Sequence, residues 1–238
     1  MNKLFLLLGL SISQILCFGQ SDSELYGAWK FESEDGNGEK IICMVTITSS
    51  HQVATQFKKD GTFISTNGGS WSLEGNTISE TVEFDTRDTS RVGGTYSFDY
   101  ELSGNQLKVI DSDVIWDRVD NGNPGALAGA WLMSGRKSGD EIRTRDTSGP
   151  RKTMKILSGT RFQWIAYNTE TKQFMGTGGG TYTTIDGKYT ETIEFFSRDK
   201  TRVGMSLEFD YELIDGAWHH SGKSSQGKPL YEVWSQRK

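Results

Sequence analysis

The sequence predicts an all-β protein built from two tandem, eight-stranded, antiparallel up-and-down barrels. Three observations carry that expectation. A 23-residue stretch recurs without a gap, residues 80–102 matching residues 191–213 at 14 positions. Each copy divides into eight short runs of alternating or β-branched residues, separated by Gly, Asn, Asp and Ser, with no helical periodicity. Eight strands with short connections favour closure, because a closed sheet has no exposed edge. An open sandwich is the alternative.

Taken in order, the chain of 238 residues begins with Met1-Asn2-Lys3, an apolar run over residues 4–16, and Cys17-Phe18-Gly19. Residues 1–19 read as a secretory signal cleaved before Gln20, with an apolar run too short to span a bilayer. Acylation at Cys17 would make a lipoprotein, but bulky Leu16 stands where a small residue is expected. Export to the periplasm or the medium is therefore the expectation. Past the signal, Cys43 is the sole cysteine, which excludes an internal disulfide and a cysteine metal cluster. No later apolar stretch approaches membrane-spanning length.

The first domain is expected over residues 20–118, a Pro/Gly/Asn-rich linker over 119–126, and the second domain over 127–238. Strands of the second copy are expected near 127–137, 151–158, 160–168, 172–184, 188–196, 203–213, 216–221 and 230–236. The sixth is the clearest. Val203, Met205, Leu207, Phe209, Tyr211 and Leu213 share one face, and Arg202, Ser206, Glu208, Asp210 and Glu212 the other. In the fifth, alternation sets Tyr189, Glu191, Ile193 and Phe195 inward, matching Ile78, Glu80, Val82 and Phe84 of the first copy. Glu83 and Glu194 are then expected outside.

Gly27-Ala28-Trp29 and Gly129-Ala130-Trp131 open the two units, and Arg118 and Arg237 stand near their ends. This pattern resembles the Gly-x-Trp and terminal Arg signature of the lipocalins. The resemblance implies a barrel that binds a small molecule, closed at one end by Trp29 with Arg118 and by Trp131 with Arg237. The family's Asp-containing loop motif is not evident, and each copy is short for a lipocalin.

Charge separates the halves. Residues 20–126 hold 8 Lys+Arg against 18 Asp+Glu, whereas residues 127–238 hold 17 against 13. An acidic first barrel could therefore contact a basic second one. The repeated phrase with Arg87-Asp88-Arg91 and Arg198-Asp199-Arg202 occurs in both copies, so it reads first as a turn closed by local ion pairs.

Differences between the copies point to function. The second copy gains about eight residues within 138–152, carrying Arg143, Arg145, Arg151 and Lys152, and a longer 218–230 segment with Lys223 and Lys228. In an up-and-down barrel these loops and the Arg198/Arg202 turn share one rim, a basic mouth. His219-His220 is also confined to the second copy, with His220 inward, where it could share a cavity with Glu191, Tyr211 and Tyr182. Two adjacent histidines on a strand point to opposite faces, so no metal site is expected. Residues 216–224 miss the phosphate-loop spacing by one residue, and no cofactor motif is found. Mixed charge argues against nucleic acid.

The leading expectation is a secreted binder of a small anionic or polyhydroxylated ligand. Arg143, Arg145, Arg198, Arg202 and Lys223 would attract it, and Tyr182, Glu191, Tyr211 and His220 would orient it. One alternative is a lyase, isomerase or hydrolase using Glu191 and His220 as acid and base. The other is an envelope protein-interaction module whose barrels are filled by side chains.

Overall fold

The computed structural model describes residues 22–139 and 141–238; the expected signal over 1–19, with Cys17, lies outside the described residues. The first barrel comprises β1 (Gly27–Glu34), β2 (Lys40–Ile47), β3 (His51–Lys58), β4 (Phe63–Glu74), β5 (Thr77–Asp85), β6 (Thr95–Ser103), β7 (Gln106–Val109) and β8 (Ile115–Asp120). Each strand pairs antiparallel with the next, and β8 returns to β1.

The second repeats this order with β9 (Gly129–Ser138), β11 (Arg151–Leu157), β12 (Arg161–Asn168), β13 (Phe174–Ile185), β14 (Lys188–Phe196), β15 (Ser206–Ile214), β16 (Ala217–Lys223) and β17 (Pro229–Gln236). It is closed by β17 on β9. The two closed antiparallel barrels give the chain a lipocalin-like fold in tandem. An added strand, β10 (Glu141–Thr144), folds back on the end of β9, pairing Glu141 with Ser138 and Thr144 with Gly135. The basic insertion is thus partly a hairpin rather than a loop.

The repeated phrase forms the same capped turn twice. Asp88 accepts from the Ser90 amide and starts a single-turn 3-10 helix (Thr89–Arg91); Asp199 does so from Thr201 before Lys200–Arg202. Arg91 pairs with buried Asp85 at 2.8 Å, and Arg202 with Asp199 at 2.9 Å. Short polar side chains satisfy orphan amides at a helix start, which explains why the phrase suits the turn.

Strict alternation fails at one place in each fifth strand. Opposite Gly68-Gly69 and Gly179-Gly180 the register slips by one residue, a β-bulge at Glu83 and at Glu194. A Cβ on Gly69 would lie 1.9 Å from Thr81 O, and one on Gly180 2.0 Å from Thr192 O, so the close approach requires glycine. The extra residue turns Phe84 and Phe195 out of the barrels, a correction to the inward placement expected of them.

Both phenylalanines meet the opposite barrel. Phe84 lies against Tyr167 and Phe195 against Phe57, each pair with ring centroids 4.7 Å apart. Tyr167 occupies in the second copy the place of Phe57 in the first, so the contacts are reciprocal, as across a two-fold axis. Val53 and Phe84 join Ala130, Leu132, Met154, Ile156 and Ile165 in one apolar cluster. Gln163 bridges the same junction, accepting from Thr55 at 2.6 Å and donating to Thr66 at 3.1 Å.

The barrel ends also differ from expectation. Trp29 and Trp131 each donate an indole N–H to a backbone carbonyl four residues earlier, at 2.9 Å. Arg118 covers Trp29 at 3.9 Å from the ring, as the resemblance implies. Arg237 does not cover Trp131. Register sets Gln236 opposite Trp131 where Arg118 stands opposite Trp29. One residue further along, Arg237 falls on the other side of the strand and pairs with Glu83 of the first barrel.

Candidate functional site

Inside the first barrel Trp29, Ile47, Ile78, Tyr100 and Leu107 form one cluster, with Trp71, Phe98 and Trp116 packed against them. Glu80 is buried too, its Oε1 without a partner among the described residues, and burial raises its pKa despite the Gln52 side chain. In the second barrel Leu127, Trp131, Leu157, Tyr182 and Trp218 pack at the closed end. Towards the other rim it holds a cavity of about 350 Å³, reaching Ser224 and Ser225 in the β16–β17 turn.

Four of the five ionisable residues that line that cavity are 7% exposed or less: Lys155, Glu191, His220 and Glu232. They come from β11, β14, β16 and β17, so only barrel closure brings them together. Lys155 Nζ sits 3.3 Å from Glu191 Oε2, which also accepts from Tyr189 OH at 2.9 Å. The rings of Tyr189, Trp218 and Trp234 lie 4.8, 5.0 and 5.5 Å from the same ammonium, an aromatic cage that stabilises a dehydrated cation. Glu232 accepts from Arg136 at 3.2 Å, and its other oxygen is 3.7 Å from His220 Nδ1.

Among the described residues, neither ring nitrogen of His220 has a hydrogen-bond partner. Burial and then the Lys155 charge hold its pKa below the usual imidazole value, so the ring is neutral at pH 7. A neutral imidazole offers one donor and one acceptor. Burial pushes the Glu232 carboxyl up, but His220 and the Lys155 charge outweigh it, and the net shift is downward. The cavity therefore carries one buried ion pair, a buried Glu232 paired with the exposed Arg136, and an uncharged, unsatisfied base.

Residues 126–237 match the family described as a domain of unknown function (DUF4488). That span is the second barrel with the end of the linker. No curated protein matches the chain.

Of the residues singled out in the sequence, Glu191 and His220 meet in the cavity. Tyr182 is at the closed end, its hydroxyl donating to Ser158 O at 2.6 Å. Tyr211 stands opposite His220 in the ladder and packs against the aromatic core, outside the cavity lining. Arg143, on β10, and Arg145, just past it, are exposed; Arg145 reaches Met133 Sδ at 3.3 Å, a cavity-wall residue. Arg202 hydrogen-bonds Ser225 O at the mouth. Arg198 binds the Met175 carbonyl and Lys223 lies exposed at the end of β16.

Sequence reasoning missed Lys155, Glu232 and Arg136. Lys155 lies between Met154 and Ile156, and apolar neighbours on alternate positions suggest that they, not the lysine, face inward. Both faces of β11 are buried: Met154 and Ile156 against the first barrel, Lys155 in the cavity. A register comparison reveals the signal. Lys155 faces Trp131 as Val45 faces Trp29, and His220 faces Tyr211 as Val109 faces Tyr100. Glu232 precedes Trp234 by two residues, as Val114 precedes Trp116. Among the described residues, no group of three or more His, Cys, Asp or Glu is arranged to hold a metal ion.

Proposed function

We propose that the chain is an exported lipocalin-like protein whose second barrel binds a small polyhydroxylated molecule, bearing an anionic group or not. The observation that supports this reading is the buried set Lys155, His220 and Glu232 around a cavity, at positions where the first barrel has three valines. The same fold closes without these polar groups, so they serve something other than closure. Buried charges are costly unless paired, and a cavity that keeps them is suited to a polar occupant.

A cavity lined by paired charges favours hydroxyl groups, which can donate and accept. The rings of Trp164, Phe162 and Trp234 in the wall suit the apolar face of a sugar. Arg136, Arg143, Arg145, Arg202 and Lys223 on the rim side suit a carboxylate or phosphate and raise its local concentration. Opposite net charges also support the association of the acidic first barrel with the basic second.

A thermal-shift screen of sugars, sugar acids and sugar phosphates tests the reading. A compound at a hundred times its dissociation constant stabilises by about 2.7 kcal/mol. Replacing Lys155, His220 and Glu232 together by valine, the pattern of the first barrel, should abolish that shift. A shift that survives the triple replacement overturns the assignment to this cavity.

A further inference from the structure

We propose that the second barrel is a proton-transfer catalyst acting on α-hydroxy carbonyl compounds of three to six carbons, with His220 as the base and Lys155 as the electrophile. This rests on the reading of the cavity as a ligand site and adds a reaction to it.

The geometry supplies the three parts that such chemistry needs. A base must be unprotonated, reach the ligand and be held in orientation. His220 lines the cavity with both ring nitrogens free, and Glu232 stands 3.7 Å from Nδ1, itself anchored by Arg136 at 3.2 Å. The carboxylate favours the tautomer with its proton on Nδ1, which leaves Nε2 as the acceptor. An electrophile must stabilise negative charge developing on a carbonyl oxygen in a dry site. The Lys155 ammonium is fixed for this by Glu191 and the cage of three rings, and it shares the Tyr189 and Trp218 rings with His220. Binding alone needs no unpaired buried imidazole, and the first barrel, with Val45 and Val109, has neither part.

In the step, His220 takes the proton from the carbon that bears the hydroxyl group next to the carbonyl. The electron pair of the broken C–H bond forms the C=C bond of an enediolate, and the carbonyl π pair moves to oxygen, facing Lys155. Transfer of the remaining hydroxyl proton to the newly anionic oxygen, followed by return of the proton from His220 to the neighbouring carbon, re-forms the carbonyl at the original hydroxyl carbon and gives the isomeric hydroxy carbonyl compound; return to the same carbon gives the epimer. No oxidant or reductant enters. Glu232 and Arg136 are positioning residues, and Glu191 serves as counter-ion to Lys155. The groups facing His220 that set its titration are Lys155, Glu191 and Glu232, with Arg136 behind Glu232.

The test is hydrogen exchange in D2O. Purified protein is incubated with dihydroxyacetone, D-ribulose or D-fructose, and loss of the C–H signal beside the carbonyl is followed by proton NMR. At least one probe should exchange, and His220→Asn should slow the exchange about 100-fold or more. Lys155→Met combined with Glu191→Gln, which leaves no stranded carboxylate, provides a second variant with the same expected loss should His220→Asn fail to fold. Glu232→Gln should move the acid limb of the pH–rate profile to lower pH, because removing the carboxylate lowers the His220 pKa; a merely structural role would leave that limb in place. Thermal shifts by the same three sugars are read in parallel. Shifts without exchange overturn the catalytic inference and leave the binding site standing. Neither shift nor exchange overturns both, and exchange that persists in the folded variants overturns the assignment to His220 and Lys155.

Discussion

Arg237 grips Glu83 with both terminal nitrogens, at 2.8 and 2.7 Å, across the junction of the two barrels. Tyr167 OH and His51 Nε2 approach the same carboxylate, the latter at 3.6 Å. Burial alone would raise the Glu83 pKa, but His51 and Arg237 outweigh it and hold it at about 2. The folded value lies below the unfolded one, so the stabilisation is present above about pH 4.5 and disappears as pH falls towards 2. Its size is about 3 kcal/mol. In acid titrations followed by urea denaturation, Glu83→Gln should remove most of that pH dependence. Breaking a buried pair one-sidedly costs about 3–5 kcal/mol, the loss expected at neutral pH.

Glu80 carries the opposite sign. Burial inside the first barrel raises its pKa, so the folded state retains a proton that the unfolded chain loses. Stability from this group is full below the unfolded value and falls as pH rises through the folded one. Glu80→Gln should raise the unfolding midpoint at pH 7 while changing it little at pH 4. Thermal denaturation at the two pH values decides the matter.

Asp120 ties the first barrel's last strand to the second barrel. Its carboxylate accepts from Ser158 Oγ at 2.7 Å, Gly159 N at 2.9 Å, and Thr160 N and Oγ1 at 3.0 and 2.6 Å. Asp120→Ala leaves these partly buried donors without an acceptor, at about 1–3 kcal/mol each where water cannot replace it. Chemical denaturation should show a loss of several kcal/mol, much larger than for the exposed Asp111→Ala.

Lys155 and Glu191 form the least exposed ion pair in the cavity, with side chains 6% and 10% accessible. Lys155→Met should destabilise by about 3–5 kcal/mol by stranding the carboxylate. Adding Glu191→Gln should restore most of the loss, a coupling that a double-mutant cycle measures directly.

The exposed Arg143 and Arg145 lie on the rim side, where salt screens charge. Replacing both by alanine should weaken an anionic ligand at 0.05 M salt and have little effect at 1 M, where the screening length is about 3 Å. Isothermal titration at the two salt concentrations checks this. A neutral sugar should be unaffected at either.

The repeat and the strand periodicity made the fold legible, since barrel closure follows from eight short amphipathic strands. Glu191 and His220 could be found because each stands among inward-facing residues. Lys155 escaped notice because β11 is buried on both faces, so its pattern lacks a polar side to mark solvent. Phe84 and Phe195 were misread because a bulge shifts the alternation by one, and the bulge is signalled only by glycines on the neighbouring strand. The lipocalin resemblance implies Arg237 over Trp131, yet a single residue of offset is enough to send it to Glu83.

The outer face of the first barrel has a consequence for how the chain folds. Val53, Phe57 and Phe84 are at most 3% exposed, and their cover is supplied by strands that follow more than 40 residues later. While the second barrel is still unmade, that patch faces water beside the unsatisfied Glu83. An early-folding first barrel would be adhesive, and two such intermediates could pair through the surfaces meant for their own partners. The order of synthesis thus makes swapped dimers the natural failure of this protein, and crowding of nascent chains the condition that would reveal it.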